Sequence, residues 1–156
     1  MILLTSLTGE RFYLMHTLSH LLMNAVSLTC GYAASSLSER IYCAPATDPT
    51  PMGGILLLTG TSGAEGTLGG LVAQGRHLRR HLRRAWEMGT LCSNDPVCAM
   101  HDPKVEENRY LEGAACHGCV LVAECSCERF NQCLDRALVA PALGHSEDLA
   151  YFTEAP

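Results

Sequence analysis

The alternation of hydrophobic and polar positions near the start of the chain predicts a long, mostly buried helix. Residues 12–38 contain no Asp, Glu, Lys or Arg, a pattern that could also describe a membrane span. Polar side chains nevertheless recur along one helical face, at His16, His20, Asn24 and Ser27. This stripe favours a buried helix of a globular domain. We expect it to run from about Phe12 to Thr29 and to stop at Gly31, with one more turn over Ser35–Glu39.

Further along, short apolar runs predict strands, and helical spacing predicts two more helices. Residues 40–44 are typical of a strand, and the continuous apolar run 55–59 is typical of a central strand. A second helix is expected over 76–88, with its apolar positions at Leu78, Leu82, Ala85 and Trp86. A last helix is expected over Glu128–Val139, because Pro141 follows it. The order of strand, loop and helix favours an α/β fold with a small mixed sheet and packed helices.

The amino-acid composition changes after Leu91, where cysteines are concentrated in an acidic and irregular segment. We therefore expect an α/β part over 1–91, a cysteine-rich zinc-binding part with a final helix over 92–140, and a tail over 141–156. The whole chain has 156 residues, 47% of them hydrophobic, which suits one compact domain.

Charge and the first residues limit the partners and the compartment. The formal net charge is −5, so any binding to a polyanion must be local. The opening MILLTSLTGER has no positive n-region, so no signal peptide is expected and the protein is predicted to be cytoplasmic, without a membrane partner. In that reducing compartment, clustered cysteines favour metal binding over disulfides.

The main chemical signal is the spacing of cysteines in the C-terminal third. Two sulfurs separated by a short turn can bind one ion, and a second pair completes a tetrahedron around Zn²⁺. Five thiols compete for four places, at Cys92, Cys98, Cys116, Cys119 and Cys127. We favour the first four and keep Cys127 as a replacement ligand, while Cys125 stays ambiguous. The isolated thiols are interpreted as ordinary buried side chains, at Cys30, Cys43 and Cys133.

This zinc would be structural, because four thiolates leave no open coordination position. An iron–sulfur cluster is disfavoured, since the spacing does not match the ferredoxin runs.

Two other features carry weaker chemical signals. His16 and His20 lie one helical turn apart, but the glutamate of the HExxH metalloproteases is missing between them. The favoured interpretation is a seam of hydrogen-bonded polar side chains inside the fold, and a metal or catalytic role is the alternative.

The glycine-rich stretch Gly60–Gly70 could receive a phosphate but lacks the P-loop signature, so Glu65 and Thr67 could instead cap the next helix.

Basic residues concentrate on the predicted second helix, at Arg76, Arg79, Arg80, Arg83 and Arg84. With Glu87 they give this helix a formal charge of +4 and leave −9 for the remainder. This asymmetry of charge could direct DNA or an acidic partner to one face of the protein. Alternatively, the arginines could form an ordinary solvent-exposed helix face.

Several segments together resemble one family, the MrfA-type zinc-binding C-terminal domain, and most closely its version in DrmB-like proteins of the DISARM anti-phage system. The segments that carry the resemblance are His16-Thr-Leu-Ser-His20-Leu-Leu, Gly31-Tyr-Ala-Ala-Ser-Ser-Leu-Ser-Glu-Arg-Ile-Tyr42, Glu65-Gly-Thr-Leu-Gly-Gly-Leu71, Cys92-Ser-Asn-Asp-Pro-Val-Cys98, Ala115-Cys-His-Gly-Cys119, Ser126-Cys-Glu-Arg-Phe-Asn131 and Leu134-Asp-Arg136. They occur in family order over roughly residues 12–140.

The resemblance implies a metal-binding module of a longer protein that is partnered with, or fused to, a superfamily 2 helicase acting on DNA. These residues contain no helicase motor motif, so the expected function is a non-enzymatic, structural-zinc module that acts in partner assembly or DNA contact, in phage defence or DNA repair. The alternative is a small hydrolase or nuclease-like enzyme that uses His16, His20 and the glycine-rich loop.

Overall fold

The computed structural model describes residues 9–31, 33–44, 47–59 and 68–156. The helices and strands in these ranges are α1 (Glu10–Cys30), β1 (Leu37–Ala44), β2 (Met52–Thr59), α2 (Leu68–Gln74) and α3 (Leu78–Thr90). The chain after α3 is irregular and contains only short 3-10 turns. The glycine-rich stretch over 60–67, with Glu65 and Thr67, and the first eight residues lie outside the described ranges, so the interpretations that rest on them stay predictions.

Helix α1 confirms the element predicted from the apolar periodicity. It begins with an acidic residue in its first turn, which suits the positive end of the helix dipole. It ends at Gly31, whose left-handed backbone (φ 72°) lets its N–H reach the carbonyl of Ser27 at 2.9 Å. No helix in the described part of the chain is long and apolar enough to cross a membrane.

The polar stripe of α1 is buried against the irregular C-terminal segment. His20 Nδ1 donates to the carbonyl of Val120 at 3.0 Å, and Asn24 Nδ2 donates to the carbonyl of Cys119 at 3.2 Å. These side chains therefore satisfy backbone groups of a segment that has no regular secondary structure to pair them.

The sheet consists of two antiparallel strands, with a register from Leu37↔Thr59 to Ala44↔Met52. Alternate residues of β1 face inward, and Leu37 is fully buried against α1. The strand begins three residues before its predicted start, and only Ala34–Ser36 forms a turn before it. The small sheet packed on helices confirms the predicted class of fold.

The prediction of a central strand over 55–59 is wrong for the described residues. Strand β2 pairs with β1 alone, so one of its edges stays unpaired there. Its outward side chains Leu56 and Leu58 are exposed, whereas Ile55 and Leu57 on the opposite face pack on the core. A run of apolar residues thus does not distinguish a strand buried on both faces from one that packs on the core with one face only.

Helix α3 matches the predicted second helix but differs in its apolar face. Ala85 is fully buried, and Leu82 packs partly buried on the main core, as expected. Leu78 is exposed, so its predicted core position is wrong. His81 takes an inward position instead, and its Nε2 lies 3.0 Å from the side-chain oxygen of Gln74 on α2.

The helix predicted over Glu128–Val139 is not formed, although its apolar spacing is helical. Three residues in this range have a left-handed backbone, namely Phe130 (φ 53°), Asn131 (φ 61°) and Cys133 (φ 61°). The side chain of Asn131 makes two hydrogen bonds with the backbone of Val122, at 2.9 and 3.0 Å, which hold this turn. Only Arg136–Leu138 forms a 3-10 turn.

The main hydrophobic core joins residues from both sides of the boundary predicted at residue 91. Its buried members are Leu21, Leu22, Ala25, Ala85, Cys98, Ala115, Cys119, Val120, Leu134 and Val139. Phe152, from the predicted tail, also packs on it, and its carbonyl accepts a hydrogen bond from Trp86 Nε1 at 2.8 Å. The domain boundaries at 91 and 140 stay predictions.

Replacing Leu21 by Ala tests whether α1 is the centre of this core. Leu21 is fully buried, so we expect the change to lower the free energy of unfolding by about 2–5 kcal/mol, measured by chemical denaturation. Leu28→Ala is the matched control, because Leu28 lies on the same helix and is 68% exposed. Equal effects of the two changes would contradict the assignment.

Candidate metal centres

Four sulfur atoms of the C-terminal segment converge, from Cys92, Cys98, Cys116 and Cys119. All four lie within 4.8 Å of one another. The Sγ–Sγ distance is 3.4 Å between Cys92 and Cys116, and 3.7 Å both between Cys98 and Cys119 and between Cys116 and Cys119. We call this set the cysteine quartet.

These distances fit a tetrahedral zinc ion. With Zn–S bonds of about 2.3 Å, the sulfurs of a tetrahedron lie about 3.8 Å apart. Disulfide bonding is excluded, because bonded sulfurs would be only about 2.05 Å apart and all four cysteines are free. The donor set is therefore compatible with a closed, structural zinc site.

Backbone N–H groups surround the sulfurs of the quartet and stabilise their negative charge. The N–H of Asn94 points to the Sγ of Cys92 at 3.4 Å, and the N–H of Gly118 points to the Sγ of Cys116 at 3.3 Å. Each of these donors comes two residues after the cysteine that it contacts. Such turns hold thiolates in place before a metal arrives.

The four sulfurs of the quartet influence one another's ionisation. Burial raises the pKa of the Cys116 thiol, but hydrogen bonds from Asn94 and the neighbouring sulfurs outweigh it and lower the pKa to about 7. Burial and the charge of Cys116 raise the pKa of Cys98 to about 12, and burial raises that of Cys119 well above its usual range. One thiolate thus opposes the ionisation of the others, and a divalent ion removes that conflict.

A buried ion pair positions the loop between Cys92 and Cys98. The guanidinium of Arg136 is fully buried, pairs with Asp95, and donates to the carbonyl of Gly89 at 2.8 Å. Oδ1 of Asp95, which pairs with Arg136, also accepts the N–H of Ala99 at 3.1 Å, and Oδ2 accepts the N–H of Cys92 at 3.0 Å. The pair therefore fixes both ends of the cysteine loop to the end of α3.

Sequence analysis missed this pair. Both residues stand within the segments that carry the family resemblance. The only local sign that these two charged side chains are buried is that cysteines and apolar residues lie near them in the sequence.

Cys127 lies outside the quartet, in a second group with His16, His20 and Glu39. The Nε2 of His16 lies 3.2 Å from Cys127 Sγ and 2.8 Å from Glu39 Oε1, and His20 Nε2 lies 3.1 Å from the same oxygen. All four residues are buried. We call this second group the mixed quartet. Sequence analysis missed Glu39, because it placed this residue at the end of a turn, although Glu39 stands within a segment that carries the family resemblance.

Contacts within the mixed quartet shift the pKa values of its members. Burial lowers the pKa of His16, but contacts with Cys127 and Glu39 outweigh it and raise the pKa to about 9. Burial raises the pKa of Cys127, but hydrogen bonds from the two histidines outweigh it and lower the pKa to about 7. The same histidines hold the pKa of Glu39 well below its usual range, against the effect of burial. The centre of this group thus favours positive charge.

The remaining cysteines are spread over other environments. Cys30 and Cys43 are half-buried, Cys133 is buried beside Phe12 and Tyr13, and Cys125 is exposed.

The five predicted arginines all lie exposed on or just before α3, at Arg76, Arg79, Arg80, Arg83 and Arg84. We call this surface the basic face. Arg84 pairs with Glu87 at 3.2 Å, and within the described ranges the other four form no ion pair.

Comparison with known proteins places this geometry in a family context. The model of the MrfA Zn-binding domain matches residues 18–120, a range that contains the whole cysteine quartet. The chain is also similar to the DISARM protein DrmB of Bacillus paralicheniformis, with 42% identity over 134 residues, which are 85% of this chain and 23% of that protein. The chain thus spans about a quarter of the length of this curated relative.

Replacing Asp95 by Asn tests the role of the buried ion pair. The change leaves the buried Arg136 without its anionic partner, so we expect a loss of about 3–5 kcal/mol in the free energy of unfolding. Chemical denaturation of the zinc-loaded chain measures it. The exposed Asp102 provides the control, because Asp102→Asn should stay within about 0.5 kcal/mol of the wild type. A wild-type stability for Asp95→Asn would remove the pair from this role.

Proposed function

The chain belongs to the MrfA Zn-binding domain family, and on that premise we propose that it is a non-catalytic module of a DISARM-type anti-phage protein, folded around a zinc ion. Cys92, Cys98, Cys116 and Cys119 would hold the ion. The zinc would fix the geometry of the irregular segment, and the basic face would contact DNA or a partner protein.

The tetrahedral arrangement of the cysteine quartet is the observation that carries this proposal. Its sulfurs come from two turns separated by seventeen residues of chain without helix or strand. Such a segment gains little from backbone pairing, so metal binding contributes directly to its folding free energy.

A non-catalytic role follows from the chemistry of the site. Four thiolates complete the coordination shell of zinc and leave no position for water or substrate. The alternative, a hydrolase or nuclease-like enzyme based on His16 and His20, gains no support, because both imidazoles are fully buried and out of reach of a substrate.

The proposed partners follow from the similarity to DrmB and from the positive charge of the basic face. Because the chain matches 23% of DrmB, we propose that it acts as part of a longer DrmB-like protein, together with a superfamily 2 helicase subunit. The basic face is exposed and carries four guanidinium groups without an ion pair among the described residues. Phosphates of DNA are the chemical group that such a surface would attract.

The double variant Cys116→Ser/Cys119→Ser tests the zinc assignment. We expect it to lose about one zinc ion per chain and to unfold at a lower temperature, since metal affinity is coupled to folding. Elemental analysis and thermal unfolding of the same sample measure both effects. Cys125→Ser is the control, because this thiol is exposed and outside both quartets. Unchanged zinc in the double variant would contradict the proposal.

The triple variant Arg79→Gln/Arg80→Gln/Arg83→Gln tests the basic face. If all three contact phosphates, the slope of log Kobs against log salt for DNA binding should become shallower by about 3, since each contact contributes about 0.9. Fluorescence anisotropy over a salt series measures this slope. Lys104→Gln is the control, because Lys104 is an exposed cation away from α3. An unchanged slope in the triple variant would exclude the basic face from the DNA interface.

A further inference from the structure

The mixed quartet, formed by His16, His20, Glu39 and Cys127, has no role in the function proposed above. We propose that it is a second, structural metal site that binds zinc or a divalent cation of similar preference, separate from the cysteine quartet. The proposal stands on the geometry of four buried donor atoms, and it extends beyond the family match, since two of these residues lie outside 18–120.

Three separate parts of the fold bring these donors together. Helix α1 contributes two imidazoles one turn apart, β1 contributes the carboxylate, and the turn after Glu124–Ser126 contributes the thiol. The imidazole and carboxylate side chains are fully buried, and Cys127 is 5% exposed. A shared ion would tie these parts to one another.

The hydrogen bonds on the far side of each imidazole orient it as a metal ligand. His16 Nδ1 lies 3.3 Å from the carbonyl of Cys133, and His20 Nδ1 lies 3.0 Å from the carbonyl of Val120. A carbonyl only accepts hydrogen bonds, so both Nδ1 atoms carry a proton, and the inward Nε2 of each ring is the atom that would bind a metal in place of its own proton. Metal-binding histidines are oriented by backbone carbonyls in the same way.

The inner atoms of the group converge on a common centre. Both Nε2 atoms face Glu39 Oε1, and the Nε2 of His16 also faces the Sγ of Cys127, at distances of 2.8–3.2 Å. A metal ion that displaced the Nε2 protons and the thiol proton would meet four electron-pair donors at one centre, from two imidazoles, a carboxylate and a thiolate. A cation among them would satisfy all four.

The carboxylate carries a second, independent sign of an absent partner. The Oε2 atom of Glu39 is buried and has no hydrogen-bond partner among the described residues. An unpaired buried carboxylate oxygen is costly, and metal coordination is one of the few ways to stabilise it.

The backbone around Cys127 matches that of the cysteine quartet. The N–H of Arg129 points to Cys127 Sγ at 3.3 Å and that of Asn131 at 3.2 Å. The donor two residues after the cysteine repeats the arrangement at Cys92 and Cys116. At Cys127 the turn also requires left-handed backbone at Phe130 and Asn131, which is strained for residues with side chains.

The size of the group suits a small tetrahedral cation. Zinc bonds of about 2.0–2.3 Å separate nitrogen, oxygen and sulfur ligands by about 3.3–3.6 Å. The present separations of 2.8–3.2 Å are a few tenths of an ångström shorter, so the donors would move apart slightly on binding. Two imidazoles, one carboxylate and one thiolate are ligands that zinc accepts, and four protein ligands leave no open position.

X-ray absorption at the zinc edge, combined with elemental analysis of the unmodified 156-residue chain purified in zinc, tests the proposal. We expect two zinc ions per chain with five sulfur and three nitrogen or oxygen ligands in total, so the ratio of sulfur to nitrogen or oxygen in the averaged shell should be five to three. One ion with a sulfur-only shell would overturn the second site. One ion with a single sulfur and three nitrogen or oxygen ligands would support it and would overturn the zinc assignment of the cysteine quartet.

Variants then assign the second ion to its ligands. Cys127→Ser and Glu39→Gln should each reduce the content from two ions to one, and the remaining shell should contain only sulfur. Cys125→Ser is the matched control, two residues away and exposed, and it should keep both ions. If Cys127→Ser retained two ions, the assignment would be wrong. The measurement on the unmodified chain decides the proposal even if a variant fails to fold.

Discussion

Mutual repulsion of buried, electron-rich donor atoms is the constraint on which the C-terminal part depends. Four sulfurs within 4.8 Å of one another cannot all ionise in an interior of low dielectric unless a cation lies among them. The fold nevertheless holds them together. The ion pair of Asp95 and Arg136 fixes one cysteine loop to the end of α3, and N–H groups of the turns point at the sulfurs. These contacts arrange four sulfur donors, and a zinc ion bound among them would remove their repulsion.

Helix α1 couples this part to the rest of the molecule. Its apolar residues form the centre of the main core, and its polar stripe supplies hydrogen bonds to the backbone of the irregular segment. A helix without charged residues over most of its length is thus buried on both its apolar and its polar sides. The two imidazoles of this stripe also belong to the mixed quartet, so one helix connects the core, the sheet and both groups of donor atoms.

The two quartets illustrate what local spacing can and cannot predict. Cys116 and Cys119 are three residues apart, and the short turn between them brings both sulfurs to one point, so their pairing was visible in the sequence. The same reasoning kept Cys127 as a replacement ligand. In the structure it lies instead beside His16, which is 111 residues away in the chain. Spacing along the chain has no information on contacts of that range.

The sequence by itself determined α1 and its end at Gly31, the helical character of α3 and the grouping of four cysteines, because each depends on periodicity or on neighbours within a few residues. The tertiary structure alone decided the rest. It placed Glu39 against two imidazoles, it buried Arg136 beside Asp95, and it replaced a helix over Glu128–Val139 by left-handed turns. In each case a polar contact between separate segments of the chain decided the arrangement, since burying a polar group without its partner costs more than a few residues of helix propensity contribute.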